Sequence, residues 1–201
     1  MLSFFKPQAC QKSNKKILHT AFEILQQIVK KNNCPRNKRK YAIILDIDGT
    51  CVYNTVNDGH RVNKDVYQIY RWALENCVAV FFLTARPDTP KNRNYTLNDL
   101  AKSSYTTYEG LIMRPESDER KNGSNYSAYK AAERAKINRH YEVIMNCGDT
   151  FQDMTVLVST DPVVPLNKMH AFLSELSHEK SYILMLTNAV PMINIKLKTE
   201  K

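Results

Sequence analysis

Unbroken apolar runs alternate along this chain with segments whose apolar residues recur every three or four positions. Five runs are short and rich in β-branched or aromatic residues: 41–45 (YAIIL), 78–83 (VAVFFL), 109–113 (EGLIM), 141–145 (YEVIM) and 182–186 (YILML). Runs of this length without polar alternation predict strands buried on both faces, as in a parallel sheet. Between them the period changes. Residues 62–76 carry Val66, Ile69, Tyr70, Ala73 and Leu74 on one helical face, and 92–103 carry Tyr95, Leu97, Leu100 and Ala101. Helices are likewise predicted over 126–137 and over 166–178 (Met169, Phe172, Leu173, Leu176), with a helical turn at 154–158. Residues 51–61 and 115–125, polar and without a hydrophobic period, read as loops. Before all of these, 13–31 predicts an amphipathic helix capped by Ser13 or Asn14, with Ile17, Ala21, Ile24, Leu25, Ile28 and Val29 on one side. Strands alternating with helices, joined by right-handed crossovers, give a three-layer α/β/α sandwich. Its sheet is mainly parallel and doubly wound, with the 41–46 strand near the centre.

That fold directs attention to the strand ends, where open α/β sheets hold their ligands. The first run ends on Asp46-Ile-Asp48-Gly49-Thr50. Positions i and i+2 of a strand point the same way, so the two carboxylates start on one side and diverge only once the chain turns at Gly49. Close acids repel unless a cation or a proton lies between them, which points to a hard metal, acid–base chemistry, or both. The second run ends on Leu83-Thr84-Ala85-Arg86, and the fourth leads to Gly148-Asp149-Thr-Phe-Gln-Asp153. Lys130 lies on the 126–137 helix within Tyr129-Lys130-Ala-Ala-Glu-Arg134.

These four motifs, in this order and each after the kind of element it should follow, resemble the haloacid dehalogenase (HAD) superfamily of phosphotransferases. The resemblance covers about residues 40–195. Within the superfamily the chain looks most like the acid phosphatases grouped with plant vegetative storage proteins and bacterial class B and C enzymes. Arg86-Pro, Leu111-Ile-Met-Arg114-Pro115, Tyr129-Lys130 and the tail through Asn188 and Pro191-Met192 suit that subgroup. The resemblance implies a HAD-like, Rossmannoid fold, and the stretch between the first two motifs is too short to hold a large cap domain.

By the same resemblance, Asp46 is the nucleophile that forms an aspartyl-phosphate. Asp48 is the general acid and then the base that activates water. Thr84 and the backbone at Ala85 bind the phosphate, and Lys130 screens Asp46 from the incoming anion. A Mg²⁺ ion is held by Asp46, Asp149 and the backbone carbonyl of Asp48, with Asp153 bracing its waters or Lys130. Arg86 is expected on the substrate side. Arg114 and Arg134 could clamp a phosphate or hold loops through ion pairs, and Tyr53 could stack on a base or cover the core. The substrate implied is a phosphorylated small molecule, nucleotides included. A phosphatase of polynucleotide ends and a non-catalytic storage or interaction protein are the alternatives.

Charge and cysteine content refine this picture. The net charge of +9 resides in residues 1–40, which hold ten Lys/Arg against Glu23 alone; residues 41–201 balance 19 basic against 19 acidic. The chain therefore reads as a basic N-terminal arm (1–40) and a phosphatase domain (41–201). The arm is either docked with a solvated basic edge or a contact for nucleic acid or anionic membrane. Hydrophobic content of 43% with 24% charged residues is that of a globular protein. No apolar run reaches the roughly 18 residues needed to span a bilayer. Residues 1–7 (MLSFFKP) are interrupted too soon for a signal-peptide core, so a cytoplasmic location is expected. Five scattered cysteines fit it. Cys77 and Cys147 read as small buried hydrophobes, and Cys51 as either structural or reactive.

Overall fold

The computed structural model describes residues 22, 23, 25, 26, 29, 41–55, 59–123, 126–149, 151–153, 181–184 and 192–196. Its main sheet is built on β1 (Tyr41–Leu45), every residue of which is buried. β1 pairs in parallel with β4 (Ala79–Pro87) on one side and β6 (Glu142–Gly148) on the other. β4 in turn pairs in parallel with β5 (Gly110–Arg114). Beyond β6 the sheet ends in two antiparallel strands, β8 (Met192–Lys196) and then β7 (Ser181–Leu184), giving the order β5-β4-β1-β6-β8-β7. The expected mainly parallel sheet with a central first strand is what is found.

The lack of alternation in β1 follows from having a helical layer on each face. Tyr41, Ile43 and Leu45, with Val80 and Phe82 of β4, share one core with Val66, Ile69, Tyr70 and Ala73 of α1 (Lys64–Glu75). Leu100 of α2 (Pro90–Lys102) joins the same core. Ala42 and Ile44, with Phe81 and Leu83, share the opposite core with Tyr129 and Ile137 of α4 (Ser127–His140). A register slip of one residue would exchange the two sets, so the large side chains on both faces fix the pairing. Leu45 is fully buried; its truncation to Ala would cost about 2–5 kcal/mol. Local signals set the helix starts. Asn63 accepts from the backbone N–H groups of Asp65 and Val66, and Thr89 accepts from Asn92 N–H with Pro90 at the first helical position.

Four local expectations are corrected. The 51–61 loop is instead a hairpin, β2 (Val52–Thr55) with β3 (Gly59–Val62), in register Val52↔Val62 and Tyr53↔Arg61. Asn57-Asp58-Gly59 between the two runs is a hairpin turn signal that the polar composition masked. Residues 115–125 contain α3 (Glu116–Asn122), none of whose residues is buried. Charge replaces hydrophobic period there. Glu116, Asp118 and Glu119 lie in its first turn and Arg120 and Lys121 in its last, the order the helix dipole favours. β8 was not expected, and it makes the last predicted strand an antiparallel edge pair. Cys77 is exposed, on a backbone with φ 58°, rather than buried.

From the predicted 13–31 helix, Phe22, Glu23, Leu25, Gln26 and Val29 are helical. Leu25 is fully buried in the α1-side core, and the Phe22 ring meets Trp72 edge-on at 5.5 Å. The ten basic residues of 1–40, the helical turn at 154–158 and the helix at 166–178 lie outside the described residues.

Candidate active site

Parallel pairing brings the C-terminal ends of β1, β4 and β6 to one rim, and each delivers side chains there. Asp46 follows β1 directly and is 6% exposed; its backbone N–H donates to Cys147 O at the end of β6 (2.9 Å). The chain then turns at Gly49, whose φ is +74°. Only a residue without a Cβ fits this turn, because a Cβ would lie 2.1 Å from Asp149 Oδ2. Thr50 closes the turn by donating its hydroxyl to Asp46 Oδ2 at 3.1 Å.

Lys130 reaches this rim from α4 and is 2% exposed. Its ammonium donates to Asp46 Oδ1 at 2.6 Å and to Asp153 Oδ1, and lies 5.1 Å from the centre of the Tyr126 ring. Asp153 sits in a single 3₁₀ turn (Phe151–Asp153) after β6. That turn packs so tightly that a Cβ on Gly148 would lie 2.1 Å from Asp153 Cβ. One carboxylate oxygen from each of Asp46, Asp149 and Asp153 falls within 4.8 Å of the others. Four of the predicted residues thus converge.

The other predicted residues stand beside this cluster. Thr84 (buried) and Ala85 (half-buried) lie near the end of β4, next to β1. The Thr84 hydroxyl oxygen accepts from Arg86 N–H at 3.2 Å, which leaves its own proton free to donate. Asp48 is bonded to Arg86 rather than to Lys130. Its side chain is 51% exposed and grips Arg86 bidentately, with Nε to Oδ2 at 2.8 Å and Nη2 to Oδ1 at 2.7 Å. Arg114 and Arg134 turn out to brace loops. Arg114 bonds Asp118 and the Gly123 carbonyl at 2.6 Å each, and Arg134 donates to the Gln152 carbonyl at 3.1 Å. Tyr53 accepts from Asn63 through its hydroxyl at 3.1 Å.

Sequence reading gave no role to Thr50, Thr96 or Asp99, all buried and all bonded to site residues. Thr96 and Asp99 are three residues apart on the inner face of α2. The buried face of α2 is Thr96, Asp99 and Leu100, whereas Tyr95, Leu97 and Ala101 of the expected apolar face are exposed, so the hydrophobic period pointed to the wrong side of this helix.

The charges of the cluster do not balance. Burial pushes the Asp46 carboxyl up to about 8, with Lys130 pulling against it and Asp153 and Asp149 adding to it. The Asp149 residue is exposed, yet its carboxyl is partly shielded from water and faces Asp153, which together push it up to about 6. Lys130 is the reverse case. Burial works to lower it, but the Asp46 and Asp153 carboxylates hold its ammonium charged, above the usual lysine range. Among the described residues, the Lys130 ammonium is bonded to two of the three clustered carboxylates. Hard oxygen donors short of positive charge, open on the Asp149 side, suit a divalent cation of the Mg²⁺ type.

The family model of the HAD superfamily, subfamily IIIB (acid phosphatase), matches residues 59–190. The chain belongs to that family. The matched stretch contains Thr84, Lys130, Asp149 and Asp153 but begins after Asp46 and Asp48, whose place in the site rests on the geometry above. Two solved structures of a class C acid phosphatase from Bacillus anthracis are similar to this phosphatase, one of them with tungstate bound. Each has a TM-score of 0.60 and covers 86% of this chain and 75% of its own, at 12% and 13% identity. At that identity the likeness shows the fold alone. No curated protein matches in sequence. Among the described residues of the phosphatase, no helix is long and apolar enough to cross a membrane.

Proposed function

We propose that this subfamily IIIB acid phosphatase is a Mg²⁺-dependent phosphomonoester hydrolase working through an aspartyl-phosphate on Asp46, with nucleotides and other small phosphomonoesters as substrates. The observation that carries this reading is Lys130, buried between Asp46 and Asp153, with the Asp149 carboxylate beside them. Phosphoryl transfer needs a nucleophile in line, charge neutralisation and a proton for the leaving oxygen. Asp46 supplies the nucleophile: a carboxylate oxygen bonds to phosphorus as the bond to the leaving oxygen breaks. Lys130 and the Thr84 hydroxyl bind phosphoryl oxygens. Asp48 gives its proton to the departing alkoxide, then takes one from the water that attacks phosphorus, which releases phosphate and restores Asp46.

Asp46 and Asp149 would hold the Mg²⁺ through carboxylate oxygens and Asp48 through its backbone carbonyl; Asp153 holds Lys130. When bound, the ion neutralises charge on the phosphoryl oxygens. Among the described residues, the segments that follow the β1 and β4 ends are a short hairpin (β2–β3) and the modest stretch 87–123, an arrangement that supports varied substrates over one small sugar phosphate.

The test is hydrolysis of p-nitrophenyl phosphate and a panel of nucleotides with Mg²⁺, with chelator, and in Asp46→Asn. The expected result is metal-dependent turnover that falls by about 10³-fold or more in the variant. Absence of turnover with every divalent metal tried, or a variant as active as wild type, would overturn the reading.

A further inference from the structure

We propose that Arg134 is a positioning residue for the divalent-ion site. It holds the 3₁₀ turn at Phe151–Asp153, and with it the segment that carries Asp149. This inference rests on the proposed reading of Asp46 and Asp149 as ligands of a Mg²⁺ ion. α4 meets the turn along one stripe, because Tyr126, Lys130 and Arg134 follow one another at four-residue spacing. The backbone N–H of Tyr126, at the N-cap, donates to Gln152 Oε1 at 3.3 Å. One turn on, Lys130 Nζ donates to Asp153 Oδ1, and a further turn on, Arg134 Nη2 donates to the Gln152 carbonyl at 3.1 Å. Three bonds from one helix thus reach two adjacent residues. Arg134 is 6% exposed. A guanidinium taken that far from water needs bonds and an opposite charge, which the Gln152 carbonyl and the Asp153 carboxylate supply.

The turn folds closely on the end of β6, where a Cβ on Gly148 would lie 2.1 Å from Asp153 Cβ. Asp149 lies between that glycine and the turn, and it is exposed, so the backbone on either side places its carboxylate. Mg²⁺ demands near-ideal octahedral geometry, and a ligand displaced by a fraction of an ångström binds it less well. Loss of a group that holds a ligand in place weakens metal binding by about 10–100-fold. The sign of the effect separates position from charge. A fixed cation beside a divalent-ion site repels the ion, so loss of the Arg134 charge alone would tighten binding. Loss of the anchor would weaken it.

The test is calorimetric titration of Mg²⁺ into the metal-stripped protein at one pH. In Arg134→Met, the Kd for Mg²⁺ should rise about tenfold or more. Arg134→Lys restores a charged donor within reach of the Gln152 carbonyl and should recover most of the loss. Ile137→Val loosens the same helix where it packs on the sheet, and should leave the Kd within about twofold of wild type. Should Arg134→Met not fold, Gln152→Ala removes the acceptor of the Tyr126 N–H and should raise the Kd by about threefold or more. A Kd unchanged or lowered in Arg134→Met (or in Gln152→Ala in its place), no recovery with Lys, or an equal rise in Ile137→Val would overturn the assignment. A wild-type protein that takes up no Mg²⁺ would instead bring down the divalent-ion reading, and this inference with it.

Discussion

Replacing Lys130 by Met removes the ammonium bonded to Asp46 and Asp153 while keeping most of the side chain's volume. Lys130 is 2% exposed and both partners are buried, so the variant takes the bonded ammonium from two carboxylates held away from water. Breaking a buried ion pair from one side costs about 3–5 kcal/mol. For a chain of this size that is a fall in Tm of roughly 6–20 °C, at 2–4 °C per kcal/mol. The deficit should depend on pH. With Lys130 in place Asp46 holds its proton below about 8 in the metal-free protein, and without the ammonium that pulls it down it holds the proton to higher pH. The gap between wild type and variant traced to Asp46 should therefore be similar at pH 5 and pH 7 and widen above pH 8, in thermal melts with chelator present. Adding Asp153→Asn to Lys130→Met removes a stranded charge and should recover part of the loss, a coupling that a double-mutant cycle measures. Turnover of p-nitrophenyl phosphate should fall at least 10²-fold with Mg²⁺ present. A stability deficit below about 1 kcal/mol, or one that does not widen above pH 8, would refute this account of the cluster.

Metal and pH should act together on the wild-type protein. Asp149 and Asp46 are pushed up to about 6 and about 8 from an ordinary 3.8. Carboxyls raised in the folded state favour its protonated form, so the stability they contribute is complete below about pH 4 and is lost as pH rises through those two values. Tm in chelator should thus fall between pH 5 and 8; Mg²⁺ at about 100 times its Kd should add roughly 2.7 kcal/mol at pH 8 and less at pH 5. A larger Mg²⁺ shift at pH 5 would contradict this. Gly49→Ala forces a Cβ against Asp149 Oδ2 at φ +74° and should weaken Mg²⁺ activation by about 10–100-fold, read from a Mg²⁺ titration of activity; an unchanged titration would contradict the cradle. Iodoacetamide should alkylate exposed Cys77 in the folded protein and spare Cys51 and Cys147, which are buried with thiols pushed up by desolvation, until denaturant is added. Rapid labelling of Cys51, read by peptide mass spectrometry, would count against that reading.

What was legible in the sequence was what one dominant force decides. The central strands could be read because burial on both faces demands unbroken apolar runs, and 41–45 contains nothing else. The strand end then located Asp46 and Asp48, and the resemblance to the HAD motifs picked out Thr84 and Asp149 at the ends of their neighbours. Elements held by weaker or mixed signals were lost. α3 has no buried residue and follows charge order, and the β2–β3 hairpin is built from polar residues around a turn signal. The partner of Arg86 was also beyond reach. The sequence places Arg86 at a strand end, where a substrate anion is the natural expectation, whereas its fork is taken by Asp48 and its back by Asp99 from a helix thirteen residues on. Such a three-way arrangement depends on the packing of α2, whose buried face of Thr96, Asp99 and Leu100 is not the apolar one that its period predicts.

The most direct measurement of the central claim is acid quench of the protein during turnover with Mg²⁺ and a fast substrate such as p-nitrophenyl phosphate, followed by peptide mass spectrometry. The account predicts a phosphoryl adduct on the peptide containing Asp46, sensitive to hydroxylamine and absent from Asp46→Asn. Turnover with no adduct at Asp46, together with retained activity in Asp46→Asn, would contradict it.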